Sequence, residues 1–306
     1  METKTDKTPR CLLITGGSGY LGSHLSKRFK LDGWEIIIVD TKRVEHKYYD
    51  YYYPVDVRDR DTLFEIFAQH SFDMVFHLAG RIEVGESMKH PTEFWDVNVG
   101  GTINVLQAMV KNDLNNIIFS STAGVYKTGK TYTHSDEAFC EDAETTFRNS
   151  CYASTKLACE RLIADSNLNH LIFRYFNLAG ADPDGDLGET HDPETHLIPN
   201  ILRQSDAFTT IYGNDYCTSD GTCVRDYIHV MDVVDAHVEA VKFLNRTIVG
   251  RYIFNLGQGK GYSVLEIIEA IKKETGIDVK YKIGDRRHGD PEYLVADIAK
   301  AKEFLK

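Results

Sequence analysis

Residues 11–22 read CLLITGGSGYLG. The run CLLIT (11–15) is apolar without alternation, which suits a strand buried on both faces of a parallel sheet covered by helices. Gly16, Gly19 and Gly22 follow it. They let the chain turn tightly, let backbone approach a pyrophosphate, and let the next helix, opening with Tyr20 and Leu21, pack on the strand. That helix's N-terminus favours negative charge. A glycine triplet alone also serves as a plain turn; the order strand, glycine turn, helix, strand gives it weight. The second strand, EIIIV (35–39), ends at Asp40, eighteen residues past Gly22. A carboxylate there accepts the adenosine ribose hydroxyls of a dinucleotide and repels a 2′-phosphate. NAD is therefore expected over NADP, with Lys42 and Arg43 the nearby residues that favour the phosphorylated form. The other reading of Asp40 is a solvated acid at a strand end.

Working outward, the apolar runs DMVFHL (73–78), NIIFSS (116–121) and HLIFRYF (170–176) alternate with helical-period segments at 19–31, 59–69, 91–112 and 151–166. Alternation of this kind predicts an α/β fold, a doubly wound parallel sheet of Rossmann type. After Asn177 the pattern weakens. Residues 178–225 are rich in Gly, Pro, Asp and Thr, with a short helix near 196–204 and a strand at 208–212. Apolar pattern resumes at YIHV (227–230), a helix at 232–244 and a strand at 252–256. A capping box, Ser263 to Glu266, opens a further helix that stops at Gly276. The expected division is a dinucleotide domain, 9–177 plus 226–257, and a smaller substrate lobe, 178–225 plus 258–306.

Composition narrows the partners. The chain has 306 residues, 42% hydrophobic, with a formal net charge of −11. That charge argues against nucleic acid or an anionic membrane as partner, so an anionic substrate needs a local cluster of Arg or Lys. The six cysteines form no CxxC pair and no His-flanked cluster. Neither a disulfide framework nor a zinc or other metal site is expected, and buried reduced thiols in a cytoplasmic protein are the plain reading. The opening METKTDKTPR lacks the apolar core of a leader, and no run approaches the ~20 apolar residues of a membrane span. The sequence stops at Lys306 in a helical-looking stretch, read as a curtailed terminus.

The chemistry concentrates on Tyr152 and Lys156, four apart on one helix face. A phenol is a poor base at neutral pH, but an ammonium group one turn away favours the phenolate and makes it a usable acid and base. The same lysine can hold a nicotinamide ribose. Thr122, at the strand end SST (120–122) that closes the fourth apolar run, offers a hydroxyl for proton relay. Asp56 and Val57 follow a third strand and either touch adenine or merely open the next helix. Leu78, Ala79 and Gly80 make a small-residue turn that lets a cofactor pass close. Asn98 either stabilises a local helix kink beside the cofactor or is an ordinary helical amide.

With these residues in place, TGGSGYLG (15–22), LAG (78–80), FSST (119–122), the Tyr152/Lys156 pair, RYFNLAGADPDGDLGE (174–189) and YGNDYCTSDGTCVRDYIHV (212–230) resemble the extended short-chain dehydrogenase/reductase family. Within it they are most similar to the nucleotide-sugar 4-epimerases, over nearly the whole chain. The resemblance implies bound NAD recycled in place, Tyr152 taking the proton of a sugar 4-hydroxyl, and a homodimer. It implies contacts to a UDP-sugar from Asn177, His196 and Leu197, uracil packing on Tyr212, and diphosphate neutralised by Arg225 and Arg287. Asp290 would accept from a ribose hydroxyl, and Tyr175 would line the cofactor and hexose.

Departures from the pattern stand at Arg81-Ile82, where the family carries a lysine and Arg81 is the expected substitute. Thr122 stands for Ser, Cys151 for Pro and His196 for Asn, and the segment between Tyr126 and Tyr152 is long and acidic. Leu294, four past Asp290, occupies the position where a small residue admits an N-acetyl group. Its size favours UDP-glucose and UDP-galactose over N-acetylated sugars. Epimerisation of UDP-pentoses or UDP-uronates fits the same 4-position chemistry. A 4,6-dehydratase would need an Asp-Glu pair where Ala123-Gly124 stand. A NAD-consuming reductase and a catalytically silent NAD-bound sensor are the remaining readings.

Overall fold

Alternate residues of the first apolar run point to opposite faces, and both faces are covered. In β1 (Cys11–Thr15), Leu12 and Ile14 join one core and Cys11 and Leu13 the other. The structure, a computed structural model, describes residues 10–128, 138–191, 194–203, 208–247, 249–287 and 290–305. The opening 1–9, residues 129–137 of the acidic segment after Tyr126, the last residue of the 196–204 helix and Lys306 lie outside the described residues.

Seven parallel strands form the central sheet: β1, β2 (Glu35–Val39), β3 (Tyr51–Tyr53), β4 (Met74–His77), β5 (Asn116–Thr122), β6 (Asn169–Tyr175) and, later in the chain, a strand at Arg251–Leu256. Their spatial order is the Arg251–Leu256 strand, β6, β5, β4, β1, β2, β3. The order reverses between β1 and β4, and in open α/β sheets ligands bind in the crevice at the carboxyl ends of such strands. One face is covered by α1 (Tyr20–Leu31) and by a long helix at Val230–Arg246, around Phe29, Phe76 and Phe173. The other is covered by α2 (Arg60–Gln69) and the helices at Gly101–Lys111 and Cys151–Asp165, around Phe67, Met109 and Ile163.

The remaining helices are α3 (Val84–Lys89), α4 (Pro91–Phe94), α5 (Gly101–Lys111), α6 (Cys151–Asp165), α7 (Leu197–Arg203), α8 (Val230–Arg246), α9 (Val264–Thr275) and α10 (Ala299–Phe304). The stretch expected as one helix at 91–112 divides into α4, a π-helical turn at Trp95–Gly100 and α5, with Asn98 inside the wide turn. The capping box of α9 is complete and Gly276 ends it with φ of 73°.

The later strands are β7 (Asn177–Ala179), β8 (Thr209–Tyr212), β9 (Val224–His229), β10 (Arg251–Leu256, the edge of the central sheet), β11 (Gly261–Ser263), β12 (Tyr281–Gly284) and β13 (Tyr293–Leu294). β7, β11 and β13 all pair with β9, and β8 pairs with β12. β9 starts three residues before the apolar run at 227 and pairs outside the central sheet. The buried Asp226 carboxylate explains its anchoring: it accepts from the backbone of Gln258, Gly259 and Ala296.

The thiols correct one expectation. Cys11 and Cys159 are buried, but Cys140 and Cys217 are exposed and Cys151 and Cys223 half-buried, all of them free. The first two sit in β1 and α6; the exposed pair sits in loops without a core to enter. No helix among the described residues is long and apolar enough to cross a membrane.

Candidate active site

The glycine turn is shaped for close approach. Gly16 has φ of +78°, and a Cβ there would stand 2.7 Å from the backbone nitrogen of Ala79. At Gly22 a Cβ would stand 2.3 Å from the carbonyl oxygen of Gly16. Larger residues would push the turn off the LAG segment and the helix off the strand. Gly19 precedes α1, whose first amide groups open onto the crevice without a side-chain cap. A pyrophosphate fits that cradle. Tyr20 directs its hydroxyl to the carbonyl of Gly180 at 2.6 Å, and Leu21 is buried, so neither side chain is free for a ligand.

Asp40 closes the far side of the turn. Its two oxygens accept from the backbone of Ser18 (3.0 Å) and Lys42 (2.8 Å), which fixes the carboxylate at the end of β2. Asp56 forms a bidentate contact with Arg58, which also reaches Asp96; the guanidinium holds the Asp56 carboxyl below its usual range. Val57 is buried against Gly101.

At the other end of the crevice the LAG turn meets α6. A Cβ on Gly80 would lie 2.9 Å from Asn98 Oδ1 and 3.5 Å from Lys156 Nζ. Leu78 N–H donates to the carbonyl of Thr15 and Ala79 N–H reaches the Thr15 hydroxyl. Asn98 accepts from Arg81 N–H and donates to the Arg81 carbonyl and the Thr155 hydroxyl. It therefore acts on the ligand crevice by holding the turn. Arg81 does not reach the cofactor as a lysine substitute: its guanidinium pairs with Glu93 and Glu83 and lies 4.8 Å over the Phe94 ring.

Beneath this turn runs a buried chain of hydrogen bonds. His77 meets Thr15 Oγ1 at 2.7 Å through Nδ1 and Thr102 Oγ1 at 2.9 Å through Nε2. Thr102 donates onward to the carbonyl of Asn98. With that proton committed, Thr102 accepts from Nε2–H, and Nδ1 accepts from Thr15. Burial, helped by the Lys156 charge, depresses the imidazole to about 3, so it stays neutral.

Ser150 caps α6 and aims its first turn at the crevice. Burial pushes the Tyr152 phenol up to about 12, partly offset by its hydrogen bond with Thr122. Thr122 Oγ1 accepts from Gly124 N–H at 3.1 Å, which leaves its own proton for a partner on the crevice side. Lys156 Nζ donates to the carbonyl of Ser120 at 2.8 Å and lies 4.9 Å over the Phe119 ring. Burial lowers this ammonium to about 8, against smaller opposing effects of Cys159 and Glu160. Of the two, the lysine lies near neutral pH, while the phenol stays protonated until a neighbouring positive charge lowers it. One turn further along α6, Glu160 pairs bidentately with Arg174 of β6 and accepts from Ser121 of β5 at 2.5 Å, all buried. Sequence reading overlooked this clamp. Tyr175, beside Thr122 in register, gives its hydroxyl to His237 at 3.1 Å and offers a ligand only its ring.

The other expected contacts gather on the second sheet and the β8–β12 pair. Arg225, nearly buried, reaches Asp290 at 3.2 Å. Arg287 stacks on Tyr212, its guanidinium carbon 3.8 Å from the ring centre, and Tyr212 is 38% exposed. Arg286 repeats the arrangement on Tyr216 at 4.0 Å, a pair that sequence reading missed. Leu294 lies opposite Arg225 in register and packs with Ala123, Tyr126 and Phe176, next to Thr122. Asn177 opens β7 opposite Tyr227. Leu197 packs against the β8 residue Ile211, while His196 is turned to Glu189. The Glu189 contact holds this exposed imidazole above its ordinary value.

The NAD dependent epimerase/dehydratase family matches residues 12–257. A UDP-glucose 4-epimerase of Lactobacillus helveticus is 41% identical over 305 residues, 96% of this chain and 90% of that protein. The solved structure of UDP-glucose 4-epimerase from Bifidobacterium longum in complex with NAD+ and UDP is 34% identical, with a TM-score of 0.88 over 96% of this chain and 92% of that one. The UDP-Glc/GlcNAc 4-epimerase from Campylobacter jejuni is 32% identical, with a TM-score of 0.80 over 97% and 93%.

Proposed function

The chain belongs to the NAD dependent epimerase/dehydratase family, and from that premise we propose that it interconverts UDP-glucose and UDP-galactose at C4. The observation that carries the reading is the Tyr152/Lys156 pair. Its lysine borders the Gly80 turn and its tyrosine bonds Thr122, beside the Leu294 pocket wall. The glycine cradle and Asp40 hold NAD, with Lys156 toward the nicotinamide ribose. Bound NAD supplies the acceptor, and on return the donor, of the C4 hydride. Tyr152 takes the 4-hydroxyl proton, directly or through Thr122, while Lys156 stabilises the phenolate. A 4-keto sugar turned in the pocket would offer its opposite face to the bound cofactor, and Tyr152 would return the proton to its C4 oxygen.

The lobe of residues 178–225 and 258–306 grips UDP in this reading. Arg225 and Arg287 face the diphosphate, Tyr212 the uracil and Asp290 the ribose, with Asn177, His196 and Leu197 along the nucleotide. Ala123-Gly124 supply no acid or base for dehydration. We place the protein in the cytoplasm as a homodimer. Support for pairing is the row of apolar side chains left exposed on the π-helical turn and α5, Trp95, Ile103 and Val110.

Purified protein incubated with UDP-galactose and no added NAD is expected to form UDP-glucose. Failure on both hexoses, or accumulation of a 4-keto-6-deoxy product, overturns the assignment. Leu294→Ser is expected to raise turnover of UDP-N-acetylglucosamine relative to UDP-glucose, and an unchanged ratio removes Leu294 from the specificity argument.

A further inference from the structure

Residues 189–196 read ETHDPETH, a Glu-Thr-His triplet repeated five residues on. Glu189, His191, Glu194 and His196 each present one ligand atom, and the four atoms lie within 4.8 Å of one another. The two carboxylate side chains are only 6% exposed. Glu189 meets Nδ1 of His191 at 3.0 Å and also Nδ1 of His196. Glu194 Oε2 is buried and takes no hydrogen bond, with Arg203 Nη1 ion-paired to it at 3.3 Å. Glu194 Oε1 accepts from the backbone of Thr195 and His196, and Glu189 is met by the two imidazoles. The buried Glu194 Oε2 is thus left as an acceptor without a hydrogen bond, beside two histidines that can turn a ring nitrogen to the same point. We propose that this two-histidine, two-glutamate cluster binds a divalent transition-metal ion, with Zn2+ the best match to its donors.

Imidazole and carboxylate donors bind Zn2+ at ~2.0–2.2 Å, which sets tetrahedral donors ~3.4 Å apart. Side-chain rotations close the cluster to that spacing. Imidazoles disfavour Mg2+ and Ca2+, which take oxygen ligands. Arg203 donates to the carbonyls of His191 and Glu189 and so fixes the loop that carries the ligands. The ion would tie that loop to the start of α7, since His196 immediately precedes Leu197 and its carbonyl accepts from Asn200. With Nδ1 of His196 on the metal, its ring proton resides on Nε2, a donor for an anionic nucleotide. That last link alone rests on the epimerase reading.

The test uses the protein with its NAD, stripped by EDTA, desalted and titrated calorimetrically with ZnSO4 in two buffers of different ionisation enthalpy. One ion per chain is expected, with proton release from the imidazoles. His191→Ala and Glu194→Gln are each expected to weaken binding about 10- to 100-fold. A Cys140→Ser/Cys217→Ser variant should bind as before, and MgCl2 should give no heat. Absence of a site, unchanged affinity in both ligand variants, or loss of binding in the cysteine variant overturns the proposal. A protein that binds zinc but turns over no UDP-sugar sinks the epimerase reading and leaves this one standing.

Discussion

The dinucleotide half and the substrate half of the crevice are built on different principles. Around the glycine turn and α6, polar groups answer one another inside the core: His77 with two threonines, Asn98 with both polar groups of Arg81, Glu160 with Arg174 and Ser121. Around Tyr212 the polar groups answer one another nearer the surface, Arg287 on an exposed aromatic face and the buried Arg225 on the half-buried Asp290. The first arrangement leaves little to reorganise when a ligand arrives. The second must exchange partners, trading guanidinium–ring and guanidinium–carboxylate contacts for base, ribose and phosphate. The proposed function, with a resident cofactor and an exchanging substrate, would call for those two constructions.

The contrast can be broken most severely at the reacting group. Tyr152→Phe removes the proton carrier and is expected to cut kcat by roughly 10²–10⁴-fold. UDP-sugar affinity should persist, as measured by fluorescence or calorimetric titration; loss of binding in step with turnover would return Tyr152 to a packing role. Next comes the buried clamp. Glu160→Gln leaves Arg174 charged and unpaired in the core, a change that typically costs about 3–5 kcal/mol. Thermal and urea unfolding should both register it, and a near-neutral result would show that water reaches the pair.

On the substrate side the effect should be milder and of another kind. Arg287→Ala is expected to raise KM about tenfold, the equivalent of ~1.4 kcal/mol, with kcat and unfolding little changed. A collapse of stability in that variant would erase the distinction between the halves. The finest probe is pH. The Lys156 ammonium is depressed by burial to about 8 in the fold, below its ordinary value of 10.5. The unfolded chain therefore binds more protons between those values, so stability of NAD-free protein rises with pH across that window and is lost as pH falls through 8. Lys156→Met should flatten the slope in urea titrations between pH 8 and 10; an identical slope would assign it elsewhere.

Much of the dinucleotide half was legible in the chain because its signals are local. Unbroken apolar runs announced β1, β2, β4, β5 and β6, and Gly16, Gly22 and the Tyr152/Lys156 spacing marked positions that only certain residue types can fill. The rest depends on distance in space. β3 is three exposed or half-buried tyrosines, and β13 is two residues long, too short for a period to show. Glu160, Arg174 and Ser121 come from three elements, and nothing in their neighbours advertises the meeting. Arg81 looked like a cofactor cation because its partner Glu93 lies on the far side of α3. The Glu189, His191, Glu194 and His196 cluster does not stand out in the chain because glutamate and histidine are ordinary loop residues until folding brings their ligand atoms together.

Tyr152, Lys156 and Glu160 recur every fourth residue, so the proposed proton carrier, the proposed cofactor contact and the core anchor share one stripe of α6. Deleting a single residue between 156 and 160 would swing Glu160 about 100° around the helix. Arg174 would be stranded while the two reacting groups stayed in register with the crevice. Insertions and deletions in α6 should therefore be purged by misfolding before any defect in turnover could be selected. Natural variation and laboratory evolution alike are left to explore this helix by substitution, and to change length only in the loops around it.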